Sequence, residues 1–299
     1  MPLLIAVKSS VYVLGPHRNI DLKLTAKAIK IESDVFPMKK PDSEVFLSTK
    51  QLSVTTDLPG SLRMMKQIQT AYECTTVCGF ADHVFVALAS GHLMRIQPEF
   101  QISLFEAISK SKAQIVGMGI RDNYLLLMEK GNPHHTVHVS DLKSSNEVAS
   151  WNHEEGNLPI GSRLAVVGQQ VVMVDRAKKR LSVYSLSGEV KMNLACPLKG
   201  RHWASICNAV DNSVILSDYS SHKVHRININ SGGAIWTAEV KKPMGVTCYR
   251  DKFVLVATLS KDVNIYILDI ATGMCHDVKY LTSTKNLKIK FKEGCRFYG

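Results

Sequence analysis

Short apolar stretches alternate with brief polar turns along most of the chain. In the second half, segments that begin at Val166, Ile206 and Val246 share one order of elements. Each reads as an apolar strand, a polar turn, a second strand, a polar loop, a third strand and a turn that contains glycine. Short β-branched strands bounded by Gly, Asn, Asp and Ser are typical of all-β proteins. The pattern therefore predicts a fold built from short antiparallel strands.

Equivalent strands recur at a nearly constant interval. They begin 39 to 47 residues apart, at Val84, Tyr124, Val171, Val214 and Phe253. A further strand at Val45 and an apolar segment near the N-terminus extend the series. A period of about 40 residues that holds four short strands is typical of a β-propeller blade. We expect a single β-propeller domain over residues 1–299, with seven four-stranded blades and six as the alternative.

Two segments outside the regular repeat carry their own predictions. Residues 61–73 (SLRMMKQIQTAYE) are the one helix candidate, a short connector before the blade that contains Val84. Near the C-terminus, Leu287, Ile289 and Phe291 alternate with lysines, which indicates a strand with one exposed face. We expect this C-terminal strand to close the ring by joining the N-terminal blade. No helical period recurs between strands, and a β-sandwich would not need a regular repeat.

Composition narrows the setting of the protein. Hydrophobic residues make up 45% of the 299 residues, which excludes global disorder. No apolar run reaches the roughly 18 residues of a membrane span, and the N-terminus does not read as a signal peptide. Seven cysteines without a CxxC pair favour a reducing compartment. We expect a cytoplasmic protein, with a nuclear location as the alternative and secretion excluded.

A family resemblance becomes specific in the segment SVILSDYSSHKVHRININSGG. The segment resembles an NHL repeat, in which a strand ends in Ala-Asp, a short basic loop follows and the next strand ends in Asp. Asp175 and Asp218 match the first acidic position, and Asp269 matches the second. Pro243, Gly245 and Val246 match the opening of the repeat, whereas Thr258 replaces the expected Asp. An Asp at such a strand end can accept hydrogen bonds from backbone N–H groups of the following turn.

The resemblance also implies a function. NHL propellers commonly follow a RING finger, B-boxes and a coiled coil in tripartite-motif proteins, and they bind single-stranded RNA or partner proteins on one face. This sequence has no zinc-spaced Cys/His array and no long heptad run, so any ubiquitin-ligase chemistry of relatives would be absent. The chain resembles the propeller part alone, either as a stand-alone protein or as part of a longer one.

Charge is divided unevenly between the two expected faces of the propeller. The formal net charge is +11. In a four-stranded blade, loops between the second and third strands share a face with the connectors between blades. From about residue 60 onward, this assignment gives that face 16 basic and 9 acidic residues, against 4 basic and 9 acidic on the opposite face. The candidate binding residues are the densest basic and aromatic group: Arg176, Lys178, Lys179, Arg180, Lys199, Arg201, His202, Trp203, Tyr219, Lys223, Lys241 and Lys242.

Basic side chains neutralise phosphates, and flat side chains stack on unpaired bases. We therefore expect a non-enzymatic module whose basic face binds an anionic partner, with single-stranded RNA as the first hypothesis. The alternative from another class is a protein-interaction scaffold that receives an acidic or extended segment, such as the substrate-recognition part of a tripartite-motif-like ubiquitin-ligase system.

A propeller hydrolase or lactonase is a third, weaker alternative. Calcium-dependent enzymes of that kind need six to eight oxygen ligands, and the expected inner strands offer only Asn208. His135 and His138 would point to opposite faces of a strand, which disfavours a metal site among His134, His135 and His138. We expect no cofactor, no metal and no small-molecule substrate. Trp151 and Trp236 are predicted to pack in the core or between blades rather than to stack on a ligand, and Cys74 and Cys78 are predicted to pack in the core.

Overall fold

Every regular element that the structure describes is a β-strand. The computed structural model describes residues 3–7, 10–16, 62–69, 74–80, 83–96, 102–105, 113–131, 134–144, 146–154, 164–175, 178–196, 205–249, 251–258 and 263–281. These ranges hold 23 strands, arranged in six antiparallel sheets. The all-β prediction is confirmed.

Five of the sheets are four-stranded blades in which consecutive strands pair as neighbours. Blade 1 contains β4 (Cys74–Phe80), β5 (His83–Leu88), β6 (Leu93–Ile96) and β7 (Ile102–Phe105). Blade 2 contains β8 (Ile115–Arg121), β9 (Tyr124–Glu129), β10 (His134–Asp141) and β11 (Glu147–Glu154). Blade 3 contains β12 (Leu164–Val167), β13 (Gln170–Asp175), β14 (Arg180–Ser185) and β15 (Val190–Ala195). Blade 4 contains β16 (Ile206–Asn208), β17 (Ser213–Asp218), β18 (Lys223–Asn228) and β19 (Ala234–Glu239). Blade 5 contains β20 (Pro243–Tyr249), β21 (Phe253–Thr258), β22 (Val263–Asp269) and β23 (Cys275–Leu281).

The predicted number of blades is wrong. The described residues form five four-stranded blades, neither seven nor six. The remaining sheet has three strands, β1 (Leu3–Val7), β2 (Ser10–Pro16) and β3 (Leu62–Gln69). Sequence reasoning divided the chain length by the repeat, but the third strand of this sheet comes from a segment far along the chain. The predicted strand at Val45 and the predicted closing strand at residues 287–291 lie outside the described residues.

The helix predicted over residues 61–73 is also wrong. Leu62–Gln69 forms β3 and pairs with β2 in antiparallel register. Leu, Met, Lys and Gln favour helices, but this preference is weak beside tertiary pairing. The register of this pairing shifts between Val13 and Leu14, so that Met65 has no direct partner in β2, as in a β-bulge.

The predicted positions of the repeat along the chain are confirmed. The second strands of the five blades begin within one residue of the positions that the apolar pattern indicates. Their residues are almost all buried, and β17 is buried along its whole length, because blades 1 to 4 each lie between two neighbouring sheets. The first strands of successive sheets contact one another in the order β1, β4, β8, β12, β16 and β20.

Hydrophobic clusters lie between successive blades, and at two of these boundaries a tryptophan contacts the next blade. Trp151 of blade 2 stacks on Tyr184 of blade 3, with ring centroids 4.5 Å apart. Trp236 of blade 4 donates its Nε1–H to the Ile270 carbonyl of blade 5 at 2.8 Å. Arg226 donates to the same carbonyl at 2.8 Å. The prediction that both tryptophans pack in the core or between blades is confirmed, since both contact the next blade, and Cys74 and Cys78 are buried as expected.

Candidate partner-binding face

The strand order sends the loops of each blade to two opposite ends of its sheet. Loops between second and third strands, and connectors that lead to the next blade, emerge at one end, which we call the basic face. Turns between first and second strands, and between third and fourth strands, emerge at the other end, which we call the acidic face. The two sets of loops carry different side chains in the part of the chain that the structure describes.

Buried aspartates build the basic-face loops of blades 3 and 4. The Asp175 carboxylate accepts a hydrogen bond from the Lys178 backbone N–H at 2.9 Å. The Asp218 carboxylate accepts from Ser220 at 3.0 Å and from Ser221 at 3.1 Å. Both aspartates are 1% exposed. The prediction that these aspartates accept hydrogen bonds from the following turn is confirmed, and their carboxylates point into the protein rather than to solvent.

Three residues of this face adopt a left-handed backbone that glycine or asparagine would favour. Lys179 has φ 51°, His222 has φ 60° and Lys242 has φ 51°. Lys179 and His222 occupy the same place in their loops, and each carbonyl accepts an N–H from the residue just after the outer strand, Cys196 or Val240, at 2.9 Å. The Lys242 N–H donates to the His222 imidazole at 3.1 Å. These bonds fix the backbone from which the basic side chains project.

The lysines of this face are exposed, while most of its carboxylates are not. Exposed lysines lie at positions 130, 178, 179, 241 and 242. Among acidic side chains that the structure describes in these loops and strand ends, Glu239 is exposed, whereas Glu129, Asp175 and Asp218 are buried. Arg180 lies 3.2 Å from the Asp175 carboxylate, and the Lys178 ammonium lies 4.0 Å from it. Lys179, Lys241 and Lys242 form no ion pair with any residue of the described ranges.

The acidic face has the opposite character. Its turns carry mainly carboxylates in the described ranges: Asp122, Asp141, Glu147, Glu189, Asp211, Asp251 and Asp269. Exposed basic residues of the same turns are Arg121, Lys143 and Lys252. Asp122, Asp211 and Asp251 have φ between 51° and 56°, a conformation that aspartate tolerates in tight hairpins. Here the left-handed positions hold residues suited to the turn.

Seven of the twelve candidate binding residues fall within the described ranges, and all seven lie at the basic face. Lys178, Lys179 and Arg180 belong to blade 3, whereas Tyr219, Lys223, Lys241 and Lys242 belong to blade 4. Tyr219 and Lys223 are half-buried. The other five candidates lie outside the described residues: Arg176, Lys199, Arg201, His202 and Trp203. The described part of the predicted site is therefore a lysine patch on two adjacent blades, with Tyr219 beside it.

A buried histidine lies between blades 2 and 3, below the same face. The His153 imidazole is 2.7 Å from the Tyr184 hydroxyl through Nδ1. Burial lowers the pKa of His153 to about 4. Asp175 opposes this shift, whereas His135, Arg180 and Lys178 reinforce it. His153 is consequently neutral near pH 7 and serves as a packing residue of the blade boundary.

The neighbouring histidines do not converge. His135 is buried and accepts the Gly131 N–H at 3.2 Å. His138 lies between two carboxylates, 2.6 Å from Glu147 and 3.4 Å from Glu129. Within the ranges described above, no group of three His, Cys, Asp or Glu side chains could hold a metal ion.

Sequence reasoning missed three features of this face. It placed Asp175 and Asp218 among the surface charges of this face, although both carboxylates are buried and accept hydrogen bonds within their loops. It treated Arg180 as free to bind, although this residue pairs with Asp175. It also left His222 out of the candidate site. The equal spacing from Asp175 to Lys179 and from Asp218 to His222 was the signal that could have identified His222.

Comparisons with known proteins show the fold alone. No family model and no curated protein matches the chain. A chain of the nidogen/laminin complex is similar with a TM-score of 0.59 and 11% identity, over 93% of this chain and 92% of that one. A chain of the mitotic checkpoint complex gives a TM-score of 0.55 and 12% identity, over 94% and 77%. The WD40 repeats of RRP9 give a TM-score of 0.55 and 9% identity, over 70% and 64%. The protein is a β-propeller, and these three structures do not connect it specifically with tripartite-motif NHL proteins.

Proposed function

We propose that this propeller is a non-catalytic binding module that receives an acidic protein segment on the lysine patch of blades 3 and 4. The proposal depends on one observation: the lysines of this patch are exposed, whereas the neighbouring aspartates are buried. Lys179, Lys241 and Lys242 are exposed without an intramolecular carboxylate partner in the described ranges, while Asp175 and Asp218 are turned inward. Complementary charge across an interface accelerates encounter and selects the partner.

The left-handed backbone of Lys179 and Lys242 also supports a role of these lysines in binding. A left-handed conformation costs most residues about 1 kcal/mol relative to glycine. Lys179 and Lys242 bear this cost at positions where glycine or asparagine would make the turn more stable. Strained residues cluster at functional sites. A need for cations at these positions explains why the sequence keeps lysine there.

Protein partners are favoured because propeller scaffolds recur in protein assemblies. Two of the similar structures are complexes by name, one of nidogen with laminin and one of the mitotic checkpoint. In a propeller, the rigid sheets hold the loops of several blades on one face, which suits recognition of an extended segment.

Single-stranded RNA is the second candidate, favoured by one observation. Tyr219 lies in the loop that also holds His222, next to the lysines of blade 4, and it is half-buried rather than fully enclosed. A ring in that place could stack on an unpaired base. The same lysines would then contact phosphates.

One binding experiment separates these candidates. Fluorescence anisotropy at physiological salt would use two labelled probes, a glutamate-rich peptide of about 20 residues and a mixed-sequence RNA of about 20 nucleotides. We expect the peptide to bind, and Lys179→Glu with Lys242→Glu to weaken its affinity roughly tenfold or more, since close charge pairs contribute more than 1 kcal/mol each. The matched control is Lys143→Glu with Lys252→Glu, which reverses two exposed lysines of the acidic face.

The outcomes are distinct. Binding of RNA but not peptide, with the same loss in the basic-face variant and a further loss in Tyr219→Ala, would replace the protein hypothesis by the RNA hypothesis. Equal losses in the basic-face variant and its control would refute a binding role for the lysine patch. So would the failure of both probes to bind.

A further inference from the structure

Two cysteine side chains meet where the innermost strands of blades 4 and 5 lie side by side. Cys207 is in β16 and Cys248 is in β20, and their sulfur atoms are 3.8 Å apart. Both residues belong to the hydrophobic cluster between the two blades, together with Ile215 and Val254. The sulfurs are thus aimed at each other across the blade boundary, in van der Waals contact.

The two thiols differ in access to solvent. Cys207 is 5% exposed, whereas Cys248 is half-buried. Both lie close to the ends of their strands that lead into acidic-face turns, and Asn208, next to Cys207, is exposed. A small oxidant can therefore approach Cys248 from the acidic-face end of the inner strands.

We propose that Cys207 and Cys248 form a reversible disulfide that links blades 4 and 5 when the protein meets a hydroperoxide. The Cys248 sulfur attacks one oxygen of hydrogen peroxide, the O–O bond breaks, and a sulfenic acid and water result. The Cys207 sulfur then displaces the sulfenic oxygen, which leaves as a second water, and the S–S bond forms. Two thiols are oxidised and one peroxide is reduced to two waters.

The local environment assigns the order of these steps. The hydrogen bond with Cys248 and burial raise the pKa of the Cys207 thiol. A thiol with a raised pKa holds little thiolate, so Cys207 is the poorer primary nucleophile. It is well placed to react second, because contact distance replaces diffusion once Cys248 is oxidised. Bond formation requires the sulfurs to approach from 3.8 Å to about 2.05 Å, which side-chain rotation and a small shift between the strands can supply.

The bond would stabilise the boundary that it crosses. It joins residues 41 positions apart and so restricts the unfolded chain. We expect the oxidised protein to unfold about 5 °C higher than the reduced protein. The change should reverse on treatment with dithiothreitol.

The test uses the full chain, treated with hydrogen peroxide, blocked with iodoacetamide under denaturing conditions and digested with trypsin. We expect one cross-linked pair between the peptide that ends at Lys223 and the peptide that ends at Arg250, which reduction separates. Cys248→Ser should lose both this pair and the rise in unfolding temperature. Cys275→Ser, which removes an exposed cysteine of the same blade, is the matched control and should retain both.

Peptide mapping of the wild-type protein decides the proposal even if a variant fails to fold. Sulfinic or sulfonic acid at Cys248 without the cross-link would overturn it. A cross-link from Cys248 to any cysteine other than Cys207 would overturn it as well.

Discussion

Three residues of the basic face have a left-handed backbone conformation, which is unfavourable for residues other than glycine. Lys179, His222 and Lys242 all have φ near 50° to 60°, and the last two are joined by a hydrogen bond from N–H to imidazole. On the acidic face, aspartates occupy the corresponding strained positions at smaller cost. Under the proposed function, Lys179 and Lys242 occupy these positions because their side chains contact the acidic partner.

A substitution that relieves this strain should separate stability from binding. Lys179→Gly and Lys242→Gly are each expected to raise the free energy of unfolding by about 0.5 to 1 kcal/mol, or to leave it unchanged where the greater freedom of the unfolded chain offsets the gain. Both variants should weaken binding of the glutamate-rich peptide. Urea denaturation and anisotropy on the same samples measure the two quantities. A clear loss of stability in both variants would contradict the account.

Protonation of His153 should destabilise the fold in acid. Its pKa is about 4 in the folded protein, against an ordinary value of 6.5. A histidine with a lowered folded pKa contributes stability that is fully present above pH 6.5 and is lost as the pH falls towards 4. The loss amounts to about 3 kcal/mol across that range.

Unfolding free energies measured from pH 7 to pH 4 check this prediction. His153→Gln should flatten the profile below pH 6.5, although its stability at pH 7 falls because the contact with Tyr184 changes. His134→Gln is the control, since His134 lies exposed at the start of the same blade's third strand. If both variants keep the slope of the wild type, His153 is not responsible for it.

At the scale of elements, the turns between the third and fourth strands of blades 3 and 5 each contain a glycine that packs against a tryptophan of the preceding blade. Gly188 has φ 87° and lies against Trp151 of the preceding blade, and Gly273 has φ 74° and lies against Trp236. A Cβ at Gly188 would come within 2.3 Å of Trp151 Cγ, and one at Gly273 within 2.7 Å of the Trp236 ring. The tryptophans can approach so closely because these turns carry no side chain.

Gly188→Ala should therefore destabilise the protein more than backbone strain alone would. The matched control is Gly168→Ala, because Gly168 also has a positive φ of 58° but a methyl group added there would meet no other atom within 4 Å. We expect a cost of about 1 kcal/mol for the control and about 2 kcal/mol or more for Gly188→Ala. Thermal unfolding measures the loss of stability in each variant. Equal losses would show that the contact between Gly188 and Trp151 does not stabilise the blade boundary.

The strand pattern was the part of the fold that sequence could predict. Second strands such as Gln170–Asp175 and Ser213–Asp218 are buried on both faces, so their continuous apolar runs stand out. Leu62–Gln69 could not be recognised as a strand, because its residues favour a helix and its pairing partner β2 is remote in sequence. The blade count was wrong because a repeat length does not reveal which segments complete a four-stranded sheet.

At the scale of the whole molecule, the net charge of +11 conceals two unlike faces. The sequence predicted this division from loop order alone, and the described lysines and aspartates follow it. It could not predict that Asp175 and Asp218 turn inward, because burial of a carboxylate depends on the loop that closes over it. Asp175 and Asp218 therefore belong to the internal structure of their loops, and the exposed charges of the basic face are mainly those of its lysines.

The most direct test of the binding face is hydrogen–deuterium exchange, measured by mass spectrometry with and without the glutamate-rich peptide. We predict slower exchange in the basic-face segments 178–180, 219–223 and 240–242 when the peptide is bound. Exchange in the acidic-face segments 141–148, 186–190 and 209–212 should not change. Protection confined to the acidic-face segments, or spread equally over both faces, would contradict the account.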